Sequence, residues 1–205
     1  MPESESTVFV VDDDASICRS IERLIEPAGF KVISFRSAAQ FLAQGRPSGP
    51  ACLVLDVQLP GLSGLDLQRE LTNAGIQLPI IFITGHGDIP MTVRAMKGGA
   101  VEFLTKPFRP VQLLSAIRAA LERDRTMLQQ RIEVAQLHNR YELLTQRERE
   151  VLALLVTGLL NKQVAGELAT TERTIKFHRA NIMRKMQAES VADLVKIAQK
   201  LGLGE

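Results

Sequence analysis

Five short apolar runs alternate with helix-patterned stretches through the first half of the 205-residue chain, and this alternation limits the fold more than any other feature. The runs are VFVV (8 to 11), KVISF (31 to 35), ACLVLD (51 to 56), PIIFIT (79 to 84) and EFL (102 to 104). Between and after them, residues 15 to 28, 37 to 43, 63 to 73, 90 to 98 and 110 onward carry apolar side chains three and four apart, as helices do. Strict alternation requires crossovers between parallel strands, and right-handed crossovers place helices on both faces of the sheet. The expected fold is therefore α/β, a (βα)5 doubly wound parallel sheet. Sheets of this kind bind ligands at the carboxyl ends of their strands.

Polar residues end these strands in a telling order. Run one ends in Asp12-Asp13-Asp14, run three in Asp56, run four in Thr84, and run five leads to Lys106. One rim would collect several carboxylates, a hydroxyl and an ammonium. Clustered carboxylates repel one another unless a cation sits among them, and an oxygen-seeking ion such as Mg²⁺ (or Mn²⁺) suits an open site of two or three carboxylates. With that charge neutralised, a phosphoryl group could approach Asp56, Thr84 could donate to it and Lys106 could supply positive charge. A single strand-end aspartate is ordinarily a turn former or a helix cap; the whole set together demands more than that.

Composition removes other classes. At 45% hydrophobic and 23% charged the chain is globular, and its apolar runs fall far short of the roughly 20 residues that cross a bilayer. The start, MPESESTVFVV, has acidic residues where a secretory signal carries basic ones, so the expected location is cytoplasmic. Cys18 and Cys52 form no CxxC, and they are expected as buried thiols. His86, His138 and His178 are too scattered for a zinc site, and Gly85-His86-Gly87 lacks the third glycine of a dinucleotide loop. Residues 1 to 124 hold 12 Lys+Arg against 14 Asp+Glu, whereas the remainder holds 13 against 9. A basic C-terminal segment fits a polyanion, or simply a solvated surface.

From Pro110 helix formers continue without Gly or Pro through Arg140, enough for a rod of up to about 29 residues. Its apolar steps, Leu114, Ile117, Leu121, Leu128, Ile132 and Ala135, are interrupted at Asp124 and Arg125. Both a solvated helical linker and a coiled-coil contact between two chains fit that pattern. The expected domains are 1-124, a helical linker at 125-141, and 142-205.

The last segment opens on LTQREREVL, where Thr145 and Glu148 form a capping box. Helices are expected from 145 to about Thr157 and at about 161 to 168, 171 to 186 and 190 to 201, an all-α helix-turn-helix domain of four helices. In ERTIKFHRANIMRKM, Ile175, Ile182 and Met186 share one face, while Arg173, Phe177, Ala180 and Arg184 lie opposite with Lys176 and Asn181 beside them. Residues 173 to 185 contain five Lys+Arg, Arg179 among them, and no acidic residue. Such a helix fits a major groove, its cations on phosphates, its Asn or Arg on base edges and Phe177 on a thymine methyl.

Residues 6 to 124 resemble the receiver domains of bacterial two-component response regulators, through VVDDD (10 to 14), LDVQLPGLSG (55 to 64), ITGHGD (83 to 88) and FLTKPF (103 to 108). Residues 142 to 203 resemble the LuxR/FixJ-type DNA-binding domain, through LTQREREVL and GLLNKQVAGELATTERTIKFHRANIMRKM. The resemblance implies that Asp56 is the phosphoacceptor, that Asp12, Asp13 and Asp56 hold Mg²⁺ with the backbone carbonyl of Gln58, and that Thr84 and Lys106 bond the phosphoryl oxygens. It makes Phe103 the switch aromatic, puts a cis bond before Pro107, and maps the recognition helix to about 172 to 186. The chain also departs from the family: Ala169 stands where Asp or Gly is common, Thr170 where Ile is favoured, and Phe177 replaces a smaller Val.

What the resemblance implies is a transcription factor that accepts a phosphoryl group from a sensor histidine kinase, dimerises, binds double-stranded promoter DNA and works with RNA polymerase. It would not be an enzyme beyond accepting and slowly losing its own phosphoryl group. The rival class with an aspartyl phosphate, the haloacid-dehalogenase-like phosphatases, needs a second acid two residues on, and here Gln58 stands there. The other alternative is an atypical regulator controlled by a ligand or partner protein.

Overall fold

The structure, a computed structural model, describes residues 6–45, 47 and 49–203. The acidic start at residues 1–5, assigned to the first domain, and the last two residues of the second lie outside them. Two compact units divide between Leu128 and Gln129, inside the stretch read as the linker.

In the first unit β1 (Thr7–Val11), β2 (Lys31–Phe35), β3 (Ala51–Asp56), β4 (Ile80–Thr84) and β5 (Glu102–Thr105) form one parallel sheet in the order β2-β1-β3-β4-β5. Helices α1 (Ala15–Ile25), α2 (Ala38–Leu42), α3 (Gly64–Asn73) and α4 (Ile89–Lys97) connect the strands, and α5 (Pro110–Glu142) follows β5. Asp14, Ser37, Ser63 and Asp88 each cap the helix that follows by accepting a backbone N–H. The first stretch read as helix ends in a 3-10 turn at Glu26–Ala28, where Pro27 removes a backbone donor and Gly29 takes φ +88°.

The two-residue period of the central strands sorts the core. Val8, Val10, Cys52, Val54, Ile81 and Ile83 face Cys18, Ile21 and Ile25 of α1 and Leu113, Ile117 and Leu121 of α5. Phe9, Leu53, Leu55 and Phe82 point to the other face, against Phe41, Leu67, Leu71 and Ala95. Each such fully buried side chain contributes about 1.5–3 kcal/mol. Cys18 and Cys52 are free thiols in this core, and burial pushes the Cys52 thiol well above its ordinary value.

Helix α5 is 33 residues long, somewhat longer than the span of about 29 expected from the sequence, and ends at Glu142 with a turn at Leu143. Asp124, which interrupts its apolar pattern, is fully buried and accepts the N–H of Ala51 at 2.8 Å. The interruption is therefore a polar tie from α5 to the start of β3.

The second unit packs α6 (Gln146–Val156), α7 (Asn161–Glu167), α8 (Glu172–Met186) and α9 (Val191–Lys200) around Val151, Leu152, Leu155, Val164, Ile175, Ile182, Met186 and Leu194. Leu137, from the end of α5, is buried in the same core, as is Leu144 just before the α6 cap. Thr145 and Glu148 form the capping box. Ala169, in the turn between α7 and α8, has φ +48°, which explains why Gly or Asp suits this position. Ala169→Gly is expected to raise the unit's stability by about 1 kcal/mol, read as a higher melting temperature.

Glu148 also receives Lys185 Nζ at 2.6 Å, tying α6 to the end of α8. Burial pushes its carboxyl up, but the bonds from Lys185 and Thr145 outweigh burial and hold it below its ordinary 4.5. This stabilisation is complete above about pH 4.5 and drains away as pH falls through the lower folded value. Glu148→Gln is expected to cost about 1–2 kcal/mol at neutral pH, because Lys185 loses its counter-charge but keeps the Leu143 carbonyl at 3.0 Å, and to flatten the acid limb of the melting curve.

Candidate functional site

The strand register brings the polar ends into line: Val11 pairs with Leu55, Asp56 with Ile83, and Thr84 with Thr105. Asp12, Asp13 and Asp56 each offer a carboxylate oxygen, and the three lie within 4.8 Å of one another. Asp12 and Asp56 are buried and Asp13 is exposed, so the cluster opens to solvent on one side. Lys106 Nζ lies 2.6 Å from Asp12 Oδ2 and 2.9 Å from Asp56 Oδ2. Burial raises the Asp12 carboxyl above its ordinary value, more than the Lys106 bond lowers it. Burial opposes the charge of Lys106 too, but its two carboxylate partners outweigh that and hold the ammonium above 10.5.

Asp56 Oδ1 accepts the N–H of Gln58 at 3.1 Å, and the Gln58 side chain is exposed at the lip of an open cleft of about 1060 Å³ between α3 and α4. Thr84 is buried, its Oγ1 accepting the N–H of His86 and donating to its carbonyl, both at 3.2 Å. Phe103 is half-buried with its ring centroid 6.2 Å from that of Phe82. The Lys106–Pro107 bond is cis. All the receiver residues read from the sequence thus lie at one edge of the sheet, with Phe103 set back behind Thr84. Asp14 stands apart: its carboxylate caps α1, accepting from Ser16.

Two neighbours were invisible in the sequence. Arg36 donates to the Asp13 carbonyl from the end of β2. Gly64, at the start of α3, lies against Asp56: an added Cβ would run into the Asp56 carbonyl oxygen and reach 3.0 Å from the Val57 Cα. Because the obstacle is backbone, Gly64→Ala is expected to cost about 1–3 kcal/mol and to displace the end of β3; the drop in melting temperature measures it.

In the second unit Thr171 caps α8, accepting the N–H of Thr174. Ile175, Ile182 and Met186 are fully buried, whereas Arg173, Lys176, Phe177, Ala180 and Arg184 are exposed and Arg179 and Asn181 half-exposed. Phe177 keeps 64% of its surface in solvent. Lys176 pairs with Glu172 at 3.0 Å, and Arg184 donates to Asn181 Oδ1 at 3.4 Å. An apolar spot on a basic face is an arrangement that can meet both phosphates and a base methyl.

Comparison with known proteins agrees with both halves. Residues 8–118 match the response regulator receiver domain, and residues 142–198 match the bacterial regulatory proteins of the luxR family. The chain belongs to the LuxR-type response regulators.

The regulator is 53% identical to Nodulation protein W of Bradyrhizobium diazoefficiens over 200 residues, 98% of this chain and 88% of that one. It is 47% identical to Response regulator protein TodT of Pseudomonas putida over 201 residues, again 98% and 88%. Among solved structures it is similar to the response regulator StyR, with a TM-score of 0.84 at 49% identity, covering 96% of this chain and 99% of that one. Full-length FixJ from B. japonicum follows at a TM-score of 0.57 and 39% identity, covering 97% and 98%. The regulator has no helix, among its described residues, that is long and apolar enough to cross a membrane.

Proposed function

We propose that the regulator, in the cytoplasm, accepts a phosphoryl group on Asp56 from a sensor histidine kinase and then binds promoter DNA as a dimer. The observation that carries this reading is the carboxylate of Asp56 lying beside Asp12, Asp13 and Lys106 at a solvent-accessible edge. In the transfer, an Asp56 carboxylate oxygen attacks phosphorus, the bond from phosphorus to the kinase imidazole breaks, and the imidazole leaves with that electron pair. The three carboxylates, one of them exposed, are the donor set that Mg²⁺ or Mn²⁺ prefers, with the backbone carbonyl of Gln58 as a further oxygen. Bound there, the cation would offset charge on the phosphoryl oxygens.

The protein's own groups do the rest. Lys106, already between Asp12 and Asp56, is placed to pair with a phosphoryl oxygen. Thr84 must give up the His86 carbonyl before its hydroxyl can donate to that oxygen, so the β4–α4 loop has to move. Phe103, behind Thr84, turns inward as the loop departs. The surface of α4, β5 and the start of α5 is thereby remodelled, a population shift that favours dimers. Ile89, Val93 and Met96 on α4 and Val111 on α5 are exposed there and supply apolar area.

In this reading Arg173, Lys176, Phe177, Arg179, Ala180, Asn181 and Arg184 face DNA, and RNA polymerase is recruited from the bound dimer. Loss of the phosphoryl group is slow self-dephosphorylation, since no second acid stands at Gln58. The test is selection of bound duplexes from a random pool by phosphodonor-treated protein. A pseudo-palindrome with half-sites about one helical turn apart is expected; single unpaired half-sites, or equal recovery without phosphodonor, would overturn the dimer mechanism.

A further inference from the structure

Helix α4 lies lightly on the body of its unit. Of its nine residues Ala95 is the buried one, while Ile89, Val93 and Met96 are exposed. Beneath its C-terminal end lies Gln68 of α3, a polar side chain only 5% exposed, which is an unusual place for a glutamine. Its Nε2 donates to the Ala95 carbonyl at 3.1 Å. Gly98, just past α4, makes room for it: a Cβ there would lie 2.5 Å from Gln68 Oε1 and 2.8 Å from Nε2. Gly98 has φ −73°, so it is not backbone conformation but the amide packed against it that disfavours a side chain.

From this geometry we infer that Gln68 is a positioning residue, a latch that holds α4 where it lies before phosphorylation and so sets the threshold of the switch. The bond joins the α3 side of the cleft beside Asp56 to the helix that the β4–α4 loop must carry along. In the arrangement seen, the Thr84 hydroxyl is engaged with His86, as the proposed switch requires of it before phosphorylation. Movement of α4 then breaks one buried hydrogen bond. Ala95 O also accepts from Ala100 N at 3.2 Å, so losing the amide does not orphan the carbonyl. Removing Gln68's donor therefore loosens α4 without penalising the core around it. The inference rests on the proposed phosphorylation switch for its consequence, though not for its structural content.

Hydrogen exchange of the full-length protein, with and without Mg²⁺ and a small-molecule phosphodonor, tests it. Gln68→Met keeps volume and removes the donor; Gly98→Ala leaves Gln68 in place but displaces its amide. Both are expected to speed exchange in the 89–97 segment about fivefold, the factor one net hydrogen bond carries, while β3 and β4 keep wild-type rates. Both should also dimerise at a lower phosphodonor concentration than wild type, with an unchanged rate of phosphoryl uptake. Wild-type exchange in α4, or equal acceleration across the whole unit, would overturn the latch. If wild type takes up no phosphoryl group, the switch fails, and the α4 exchange rates alone still decide whether Gln68 holds the helix.

Discussion

Asp56→Asn is expected to keep the fold and lose every response to phosphodonor. The substitution keeps the side chain's shape and one acceptor oxygen, and Lys106 retains its 2.6 Å bond to Asp12. Removing one of three clustered carboxylates also relieves repulsion, so the melting temperature should move little. What disappears is the nucleophile: an amide oxygen does not form a stable acyl phosphate under these conditions, and without the new phosphoryl charge nothing draws Thr84 from His86. Sedimentation of wild type and variant with Mg²⁺ and phosphodonor is the check. Wild type should become dimeric while the variant stays as it was. Equal dimerisation of the two would mean that association is driven elsewhere in the molecule.

The second large effect concerns α8. Replacing Arg173 and Arg184 by Ala together should weaken DNA binding on the order of 10–1000-fold at fixed salt, and flatten the dependence of affinity on salt by about one unit of slope for each phosphate no longer neutralised. Both side chains are exposed, so the fold should be unaffected. Phe177→Ala should behave differently. It removes no charge, so the salt slope stays, but preference at one position of the site should relax, most visibly where thymine is replaced by a base without the methyl. Titrations over a range of salt with one selected duplex separate the two behaviours. An unchanged slope in the double variant would place the DNA on another surface.

The sheet was legible because its signals are local. The short apolar runs mark the strands to within a residue, whereas the caps Asp14, Ser63 and Asp88 show their role only in the structure. The meeting of Asp12, Asp13, Asp56, Thr84 and Lys106 at one edge followed from topology, since parallel strands carry all their carboxyl ends to the same side. Groups whose meaning depends on a distant partner stayed hidden. Asp124 reads as a break in an apolar stripe until Ala51, 73 residues away, is seen to donate to it. Gln68 reads as a polar position on a helix until Ala95 and Gly98 close over it. Gly64 passes for a helix start until the Asp56 carbonyl gives it its constraint, and Ala169 stands out in the sequence only as a departure whose physical reason, a positive φ, the structure supplies. The domain boundary was blurred for a related reason: nothing in a continuous run of helix formers marks where the side chains of α5 leave one core and enter another.

The central claim, that Asp56 carries the signal, is tested most directly by locating the adduct. Wild-type protein treated with phosphodonor and Mg²⁺ is reduced with borohydride, which converts an aspartyl phosphate to homoserine, and the peptides are mapped by mass. The account predicts homoserine at position 56 and nowhere else. Homoserine at another aspartate, or none in a folded protein that binds the cation, would contradict it.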